Sequence, residues 1–267
     1  MVLIDGNNLL YKDYFSYKGA DYKQLKDFFI RHLHSLASSG IHDLVVIWDS
    51  AFGSWRNIAY PSYKGTRTMS LFECDSEAKK FYHWRIKLRQ FLYTRTSIRQ
   101  THINRFEADD IIALYVRNRI KKKIDVNITI VSNDKDFYQL LHSYRPTVNI
   151  LRVGRNKQRV LTREDFEEEY EIRPALWSDV RALSGDTSDN IPGIEGIGPV
   201  RAVEIIKTYG PLKKWINSVA PNDKIKISKW AFKARLKRKK VMFYYKLVDL
   251  KRNHSGLRLE LSNNTYK

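Results

Sequence analysis

Nine acidic residues of this chain stand where several of them could hold the same metal ion. They form five groups along the sequence: Asp5; Asp49; Glu107, Asp109 and Asp110; Asp134 and Asp136; and Asp186 and Asp189. Two unit charges about 4 Å apart repel by roughly 4 kcal/mol at an effective dielectric near 20, so carboxylates this close require protons or bound cations. Oxygen ligands without histidine or cysteine favour Mg²⁺ or Mn²⁺ over zinc. The acids therefore indicate a magnesium-type site, provided that the fold brings them together.

Each acidic group also has a structural interpretation that needs no metal. A carboxylate after a strand is commonly the N-cap of a helix, and acids in a first helical turn complement the helix dipole. A common site is favoured because nine of only 29 acidic residues fall at the ends of predicted elements in a strongly basic chain.

The net charge of +19 indicates a polyanionic partner, and nucleic acid is the most common partner of this kind. A basic chain with an acidic metal pocket suggests phosphodiester hydrolysis. Two ions about 4 Å apart can activate a water molecule and stabilise the leaving oxygen. A nearby cation then neutralises charge that builds up on the phosphate.

Composition narrows the class of protein. The hydrophobic fraction of 43% and the aromatic fraction of 13% are enough for a substantial core. The single cysteine, Cys74, excludes an internal disulfide and a cysteine-rich zinc site. The start of the chain lacks the pattern of a signal peptide, and no run of about 18 apolar residues occurs. We therefore expect a cytoplasmic protein without a membrane-spanning helix.

The first 150 or so residues alternate apolar β-rich runs with helical periodicity, which predicts an α/β fold with a mainly parallel central sheet flanked by helices. The predicted strands are Val2–Asp5, Leu44–Asp49 and Val126–Ser132, and the predicted helices are Asp21–Ser39 and one that begins near Glu107 and ends in the basic stretch Arg117–Lys123. Ligands of open α/β sheets gather at the carboxyl ends of the strands. Asp5 and Asp49 should therefore face one pocket.

The segment Gly53–Phe106 holds eleven basic residues against three acids, with aromatic residues interleaved. This combination suits single-stranded nucleic acid, because basic side chains follow the phosphates and rings stack on bases. A surface helical hairpin without a binding role is the alternative interpretation.

After Leu161 the pattern becomes helical. Thr162 with Asp165 predicts a capped helix start, and Pro174 predicts the start of the next helix. A glycine-rich hairpin over 193–199 then leads into a helix over Val200–Tyr209. We expect an α/β core over residues 1–160, including a basic segment at about 64–106, and a helical region over 161–267.

Five ordered motifs resemble those of the 5′-nuclease or flap endonuclease superfamily, especially its phage and bacterial branch, and the resemblance covers nearly the whole chain. They are Asp5-Gly-Asn-Asn; Trp48-Asp49 with Arg56 and the run Tyr63-Lys64-Gly65-Thr66-Arg67; Glu107-Ala108-Asp109-Asp110; Ser132-Asn133-Asp134-Lys135-Asp136; and 185–193 with the glycine hairpin Gly196-Ile197-Gly198. The resemblance implies a PIN-like core, a helical arch over the basic segment and a helix–hairpin–helix that grips duplex DNA.

The resemblance also implies roles for individual residues. Asp5, Asp49, Glu107 and Asp109 would hold one ion, Asp110 would lie between the two ions, and Asp134, Asp136, Asp186 and Asp189 would hold the second. Lys64 and Arg67 would approach the scissile phosphate, and Tyr63 would stack on an unpaired base. The implied DNA contacts are Arg56, Tyr63, Lys79, Lys80, Arg85, Gly196, Gly198 and Arg201. Carbonyls such as those of Ile194 and Ile197 would bind a monovalent cation, K⁺, at the hairpin.

The function implied is a Mg²⁺-dependent 5′→3′ exonuclease and flap endonuclease, with Mn²⁺ able to replace Mg²⁺. Its substrates would be DNA with 5′ single-stranded ends or flaps and RNA–DNA hybrids, in primer and flap removal during replication. We expect a monomer, with a single-strand-binding protein as a candidate partner. One departure concerns the hairpin: family members often have lysine where this chain has Val200, followed by Arg201.

Two other functions remain alternatives. A non-catalytic junction-binding module would lack some of the acids, and none is missing. A PIN-like ribonuclease shares the arrangement of acids at strand ends, but such domains are usually shorter and lack the arch and the glycine hairpin. Comparing cleavage of structured RNA with cleavage of flap DNA separates this ribonuclease from the 5′ nuclease.

Overall fold

A computed structural model describes residues 1–17, 19–38, 43–65, 76–154, 157–217 and 228–252. At its centre is a six-stranded sheet with the strand order β3-β2-β1-β4-β5-β6. The strands are β1 Val2–Asp5, β2 Leu44–Ile47, β3 Arg99–Thr101, β4 Ile128–Val131, β5 Val148–Val153 and β6 Gln158–Leu161. All neighbouring pairs are parallel except β5 and β6. The predicted fold class, a mainly parallel sheet flanked by helices, is confirmed.

Eleven helices surround or follow the sheet within the described residues. They are α1 Gly6–Ser16, α2 Tyr22–Ser38, α3 Trp55–Ala59, α4 Ser76–Arg95, α5 Ala108–Lys121, α6 Arg163–Tyr170, α7 Trp177–Ser184, α8 Pro199–Tyr209, α9 Leu212–Trp215, α10 Lys229–Leu236 and α11 Arg238–Val248, with short 3₁₀ helices at Lys135–Leu140 and Pro174–Leu176. None of them combines the length and the apolar character that crossing a bilayer would require.

The central strands are buried on both faces because each face packs against helices. Leu3 of β1 belongs to a core with Ile111 and Ile112 of α5, whereas Ile4 belongs to a second core with Leu9 and Phe29 of α1 and α2. Successive side chains of a strand point to opposite faces, so a strand between two helical layers is apolar at every position. This explains the uninterrupted apolar run at the start of the chain.

The sequence predicts strands β1, β2 and β4 but not β3, β5 and β6. Strand β3 is short and only partly buried, and β6 exposes three of its four residues, so neither carries a strong apolar signal. Both lie at the edges of the sheet, where one face or one side meets solvent. Edge strands are recognised through their pairing, which is a tertiary property.

The helix starts follow their sequence signals closely. Glu107 is the N-cap of α5, in a capping box with Asp110. The prediction of a capped helix at Thr162 is confirmed, because its side chain accepts a hydrogen bond from the backbone N–H of Asp165. Pro174 opens a 3₁₀ helix that runs directly into α7.

Candidate metal centre

Asp5 ends β1 and Asp49 lies two residues after the end of β2, the neighbouring strand, at the same edge of the sheet. The Oδ1 atom of Asp5 accepts the backbone N–H of Asn8 at 3.0 Å, and its Oδ2 accepts the hydroxyl of Ser132 at 3.1 Å. Asp49 Oδ1 accepts the backbone N–H of Ala108 at 2.8 Å, so it touches the start of α5. The parallel topology therefore joins acids that are far apart in sequence.

The acids at the start of α5 meet a buried arginine. Arg56, only 1% exposed, donates two hydrogen bonds to Asp110, at 2.8 and 2.9 Å, and one to Glu107 at 2.8 Å. Its Nε donates to the carbonyl of Leu247 at 2.8 Å. The prediction that Arg56 contacts DNA does not fit this position, because its donors already bind protein acceptors inside the core. Asp110, expected between two ions, is the bidentate partner of this guanidinium, and its role towards a metal stays a prediction.

Removing this arginine should destabilise the fold. Arg56→Ala leaves Asp110 as a buried charge without its bidentate partner and removes one of the two cations that contact Glu107, and breaking a buried pair typically costs about 3–5 kcal/mol. Urea unfolding of the metal-free protein should show this loss. Arg145→Ala removes a cation whose side chain is 83% exposed in its pair with Asp125, and should change stability by less than about 1 kcal/mol. Equal effects of the two substitutions would contradict this interpretation of Arg56.

Tyr63 and Lys64 lie between two sets of acids. The first set is Asp5, Asp49, Glu107 and Asp109, and the second set is Asp134, Asp136, Asp186 and Asp189. The hydroxyl of Tyr63 is 2.9 Å from a carboxylate oxygen of Glu107 and 2.9 Å from one of Asp189. With 2% of its surface exposed, Tyr63 presents no ring face to a base, so its predicted stacking role does not fit this structure. Lys64 has a left-handed backbone with φ of 52°, and its ammonium group contacts Glu107 and lies 3.9 Å from Asp189. Arg67 lies outside the described residues.

The second acidic set gathers around Arg181 of α7. One carboxylate oxygen from each of Asp136, Asp186 and Asp189 lies within 4.8 Å of the others. Arg181 donates to Asp136 at 2.7 Å and forms an ion pair with Asp186. Asp134 lies beside this set, since its Oδ1 accepts the backbone N–H of Asp136 at 2.8 Å. The structure thus brings these four predicted acids into one region.

A pair of glycines holds the loop that carries Asp186 and Asp189. Gly185 and Gly193 both have positive φ, at 76° and 64°. A Cβ atom on Gly193 would lie 2.4 Å from the backbone nitrogen of Gly185, closer than real Cβ atoms approach. The loop therefore closes on itself only because neither position has a side chain.

Burial and mutual repulsion perturb the carboxylates of both sets. Burial, followed by the charge of Asp49, raises the pKa of Asp5 to about 7. Burial, followed by the charge of Asp136, raises the pKa of Asp134 to about 7. The pKa of Asp49 and that of Asp109 are also raised, chiefly by burial. A bound cation would favour the charged state of these groups and so lower their pKa.

Glu107 behaves in the opposite way. Burial acts to raise its pKa, but Lys64 and Arg56 outweigh that effect and lower it to about 2. Burial likewise opposes the charge on Lys64, yet Glu107 and Asp189 raise its pKa above the ordinary value. Lys64 is therefore a permanent cation at the junction of the two acidic sets.

An amide oxygen also fits a site that takes a hard cation. Asn7 donates through Nδ2 to Asp49 at 2.6 Å, while its buried Oδ1 has no hydrogen-bond partner among the described residues. Buried polar atoms are nearly always satisfied in native proteins. The Oδ1 atom of Asn7 is an acceptor beside a carboxylate whose pKa is raised, and such oxygen atoms match the ligand shell of a divalent ion.

Helix α4 carries the predicted DNA contacts of the arch. Lys79 and Lys80 are exposed, and Lys80 lies 4.8 Å from the ring centre of Trp84. Arg85 is only 8% exposed, and its charge lowers the pKa of Asp49 against the larger, raising effect of burial. Arg85 is thus buried, whereas the two lysines face solvent.

The glycine hairpin precedes α8. Gly196 has a positive φ of 81°, and Gly198 is the N-cap of α8. Ile194 and Ile197 are buried, and the carbonyl of Ile194 accepts the N–H of Ile197 at 2.8 Å. Arg201 donates to the carbonyl of Gly196. The proposed cation ligands at Ile194 and Ile197 stay a prediction.

Comparison with known proteins decides the family. The model of the 5′-3′ exonuclease N-terminal resolvase-like domain matches residues 1–171, and that of the 5′-3′ exonuclease C-terminal SAM fold matches residues 172–267. The chain belongs to the 5′-3′ exonuclease family. A 5′-3′ exonuclease of Halalkalibacterium halodurans is 32% identical over 237 residues, covering 84% of this chain and 74% of the relative.

Other relatives are longer than this chain. The thermostable DNA polymerase I of Thermus thermophilus is 28% identical over 232 residues, covering 85% of this chain but 26% of the polymerase. The chain therefore spans about a quarter of the length of such relatives.

Solved structures share the fold. The 5′-exonuclease of T5 with bound zinc aligns with a TM-score of 0.76 and 24% identity, covering 94% of this chain and 89% of that one. The catalytic core of Rad2 with a DNA substrate aligns with a TM-score of 0.56 and 18% identity, covering 98% and 72%. At these identities the likeness establishes the shared fold.

Sequence reasoning missed two residues of this exonuclease-family site. Arg181 binds Asp136 and Asp186, yet in the sequence it is one basic residue among 48 lysines and arginines. Its position five residues before Asp186, on the preceding helix, was the available signal. Ser132 joins the sets, because its hydroxyl donates to Asp5 and accepts the N–H of Asp134 at 3.1 Å. The signal for Ser132 in the sequence was its place in the motif 132–136.

Proposed function

We propose that this chain is a divalent-metal-dependent, structure-specific 5′ nuclease. It hydrolyses phosphodiester bonds of DNA at 5′ ends, flaps and junctions, and of RNA primers in RNA–DNA hybrids. Removal of primers and flaps during replication is the corresponding biological task. Family membership supports the reaction class, and the site supports the chemistry.

The observation that carries the proposal is the position of Lys64 between two sets of carboxylates. Its ammonium group contacts Glu107 of the first set and approaches Asp189 of the second. A phosphate that lies over both sets therefore meets a cation at their junction. Preorganised positive charge at the point where negative charge develops is among the largest contributions to catalysis.

The residues would hold two ions, Mg²⁺ with Mn²⁺ able to replace it. Asp5, Asp49, Glu107 and Asp109 would form one ligand set, and Asp134, Asp136, Asp186 and Asp189 the other. Bound there, such ions supply a nucleophilic water and neutralise the leaving oxygen. The chain itself contributes orientation: Ser132 and the backbone of α5 hold the carboxylates, and Arg56 and Arg181 limit their repulsion.

Metal binding should depend on pH in a defined direction. The folded-state pKa values of Asp5 and Asp134 are about 7, above the unfolded value near 3.9. Their ionisation therefore destabilises the metal-free protein as pH rises from about 4 to above 7, and a bound cation offsets this loss.

Urea unfolding with and without MgCl₂ measures this effect. The stabilisation by saturating Mg²⁺ should be about 4 kcal/mol larger near pH 7.5 than near pH 5.5, since each of the two protons released contributes about 1.4 kcal/mol per pH unit up to about pH 7. Asp134→Asn should reduce the difference. A stabilisation that is the same at both pH values would contradict the cation-compensated pocket.

The DNA path follows the charge on the surface. Lys79 and Lys80 on α4 are exposed beside aromatic side chains, an arrangement that suits a single strand. Residues 1–160 would then supply the catalytic core and arch, and residues 161–267 the helical region that holds the duplex.

Cleavage-site mapping tests the proposal. The substrates are 5′-labelled flap, nicked and RNA–DNA hybrid duplexes, each incubated with and without MgCl₂. We expect Mg²⁺-dependent products that originate at 5′ ends and at the flap junction. Products scattered along structured RNA, with no cleavage of flap DNA, would favour the ribonuclease alternative. Binding without any cleavage would favour the junction-binding module.

A further inference from the structure

A cavity of about 300 Å³ lies between the end of α1, the start of α2 and helix α4. Its wall includes four aromatic side chains, Tyr14, Phe15, Tyr17 and Trp84, together with the lysine Lys80. A volume of this size is at the lower end of the range for small-molecule sites, about 300–1,000 Å³. None of the acids of the two ligand sets lines this cavity, so the proposed chemistry does not account for it.

The aromatic wall has a packed side and an open side. Trp84 is buried, and Tyr14 contacts its ring edge-on with 5.7 Å between the ring centroids. Phe15 and Tyr11, one helical turn apart on α1, are 49% and 56% exposed, and their ring centroids are 4.4 Å apart. Two large apolar rings in contact at the surface are costly to expose unless a ligand covers them. The open side therefore has the character of a binding surface.

Positive charge lies beside the aromatic rings. The ammonium group of Lys80 is 4.8 Å from the ring centre of Trp84, and that of Lys87 is 5.6 Å from the ring centre of Tyr22. Both lysines belong to α4 and are exposed. Rings that stack on bases, combined with lysines that bind phosphates, are the features that hold single-stranded nucleic acid. An apolar protein segment would make no use of these charges.

The cavity lies within reach of a strand that occupies the metal centre. Helix α1 begins directly after Asp5, which is its N-cap and belongs to the first ligand set. A helix rises 1.5 Å per residue, so Phe15 lies about 15 Å along the helix from Asp5. A DNA strand advances about 3.4 Å per nucleotide when its bases are stacked. About four nucleotides therefore connect the metal centre with the cavity.

We propose that this cavity binds one unpaired nucleobase of the 5′ single strand of a flap, about four nucleotides from the junction. The base stacks on Phe15, and Lys80 binds a neighbouring phosphate. The inference rests on the proposed function for the identity of the ligand and adds a subsite to it. A flap long enough to reach the cavity then binds more tightly than a flap of one nucleotide.

A single base moved along an abasic flap tests the proposal. Fluorescence anisotropy, without divalent ions, measures the affinity for labelled duplexes with a 5′ flap of about ten nucleotides, in which every position but one is abasic. The wild type should bind most tightly when the base is about four nucleotides from the junction. Phe15→Ala should remove this maximum, a loss of about tenfold, because the base loses its stacking partner.

Two variants complete the test. Ala20→Phe places a ring inside the cavity that Ala20 lines, and should remove the same maximum without deleting any wall residue. Tyr144→Ala is the matched control: its ring is 70% exposed, and it precedes β5, at the end of the sheet opposite to the acids. This control should bind every flap as the wild type does. With a flap of one nucleotide, all three variants should match the wild type.

Three results would overturn the inference. A fully abasic flap that binds as tightly as an intact one would leave the cavity to another occupant, such as an apolar side chain of a protein. Unchanged affinity in Ala20→Phe would show that no base enters the cavity. Equal weakening of long and one-nucleotide flaps by Phe15→Ala, in a variant that circular dichroism shows to be folded, would assign Phe15 to the duplex.

Cleavage keeps this inference separate from the proposed function. The one-nucleotide flap, which does not reach the cavity, is incubated with MgCl₂. Normal cleavage of this substrate, combined with no preferred base position in the long flap, would remove the subsite and leave the nuclease in place. Absence of Mg²⁺-dependent cleavage would instead contradict the nuclease itself.

Discussion

Asp134→Asn is expected to lower the rate of Mg²⁺-dependent flap cleavage by about a thousandfold or more. A metal ion contributes several kcal/mol to stabilising the transition state, and each 1.4 kcal/mol or so is a factor of ten in rate. Asparagine keeps the shape of the side chain but removes the charge that would hold the cation. The measurement is single-turnover cleavage of a 5′-labelled flap substrate under saturating enzyme.

The same substitution should leave the fold intact, which makes the loss of activity interpretable. Because burial raises the pKa of Asp134 to about 7, its charge is unfavourable in the metal-free protein, and a neutral asparagine removes that cost. Asp125→Asn is the matched control, since its carboxylate is 57% exposed and pairs with the exposed Arg145. Retained activity in Asp134→Asn, at the level of this control, would refute the assignment of the second ligand set.

Lys64→Ala should slow cleavage far more than it weakens DNA binding. Removing one preorganised donor to a developing anion typically costs a factor of about 10²–10³ in rate. The side chain of Lys64 is 23% exposed and sits on Glu107, so it contributes little to a DNA surface outside the pocket. Single-turnover rates and anisotropy titrations on the same flap substrate separate the two effects.

Two further variants are informative: one tests whether positive charge alone suffices at residue 64, and the other is a control for DNA binding. Lys64→Arg keeps the charge and should recover part of the rate. Lys79→Ala removes an exposed cation of α4 and should weaken binding, with a shallower dependence on salt and a nearly normal rate at saturation. If Lys64→Ala reduced binding and rate by the same factor, Lys64 would be a DNA anchor and not a catalytic residue.

The pocket itself could be anticipated from the sequence because parallel strands end at one edge of a sheet. Asp5 ends β1 and Asp49 follows β2, the two strands pair in parallel, and the strand that precedes Asp134 pairs with β1 on its other side. The apolar runs predicted these strands, and the topology then placed their following residues together. The acids at Glu107–Asp110 predicted a helix start, and the helix begins at Ala108.

Burial was the property that sequence reasoning judged least well. Arg56 and Tyr63 belong to a basic and aromatic stretch and were assigned to DNA, yet both are almost fully enclosed. A basic residue in sequence carries no sign of whether solvent or carboxylates surround it. Arg85 shows the same limit, since a helix with charges on several faces does not reveal which face is buried.

By itself, the sequence determined the mainly parallel sheet and the starts of its main helices, because these follow from local apolar patterns and capping residues, and its motifs named the carboxylates expected to share one region. The tertiary structure alone decided which cations compensate those carboxylates: Arg56 and Lys64 for the first set and Arg181 for the second. It also placed Trp230 against a glycine 34 positions earlier in the chain. Such pairings depend on distance and burial in the folded chain, where a low dielectric makes each partner matter, and residue spacing does not encode either quantity.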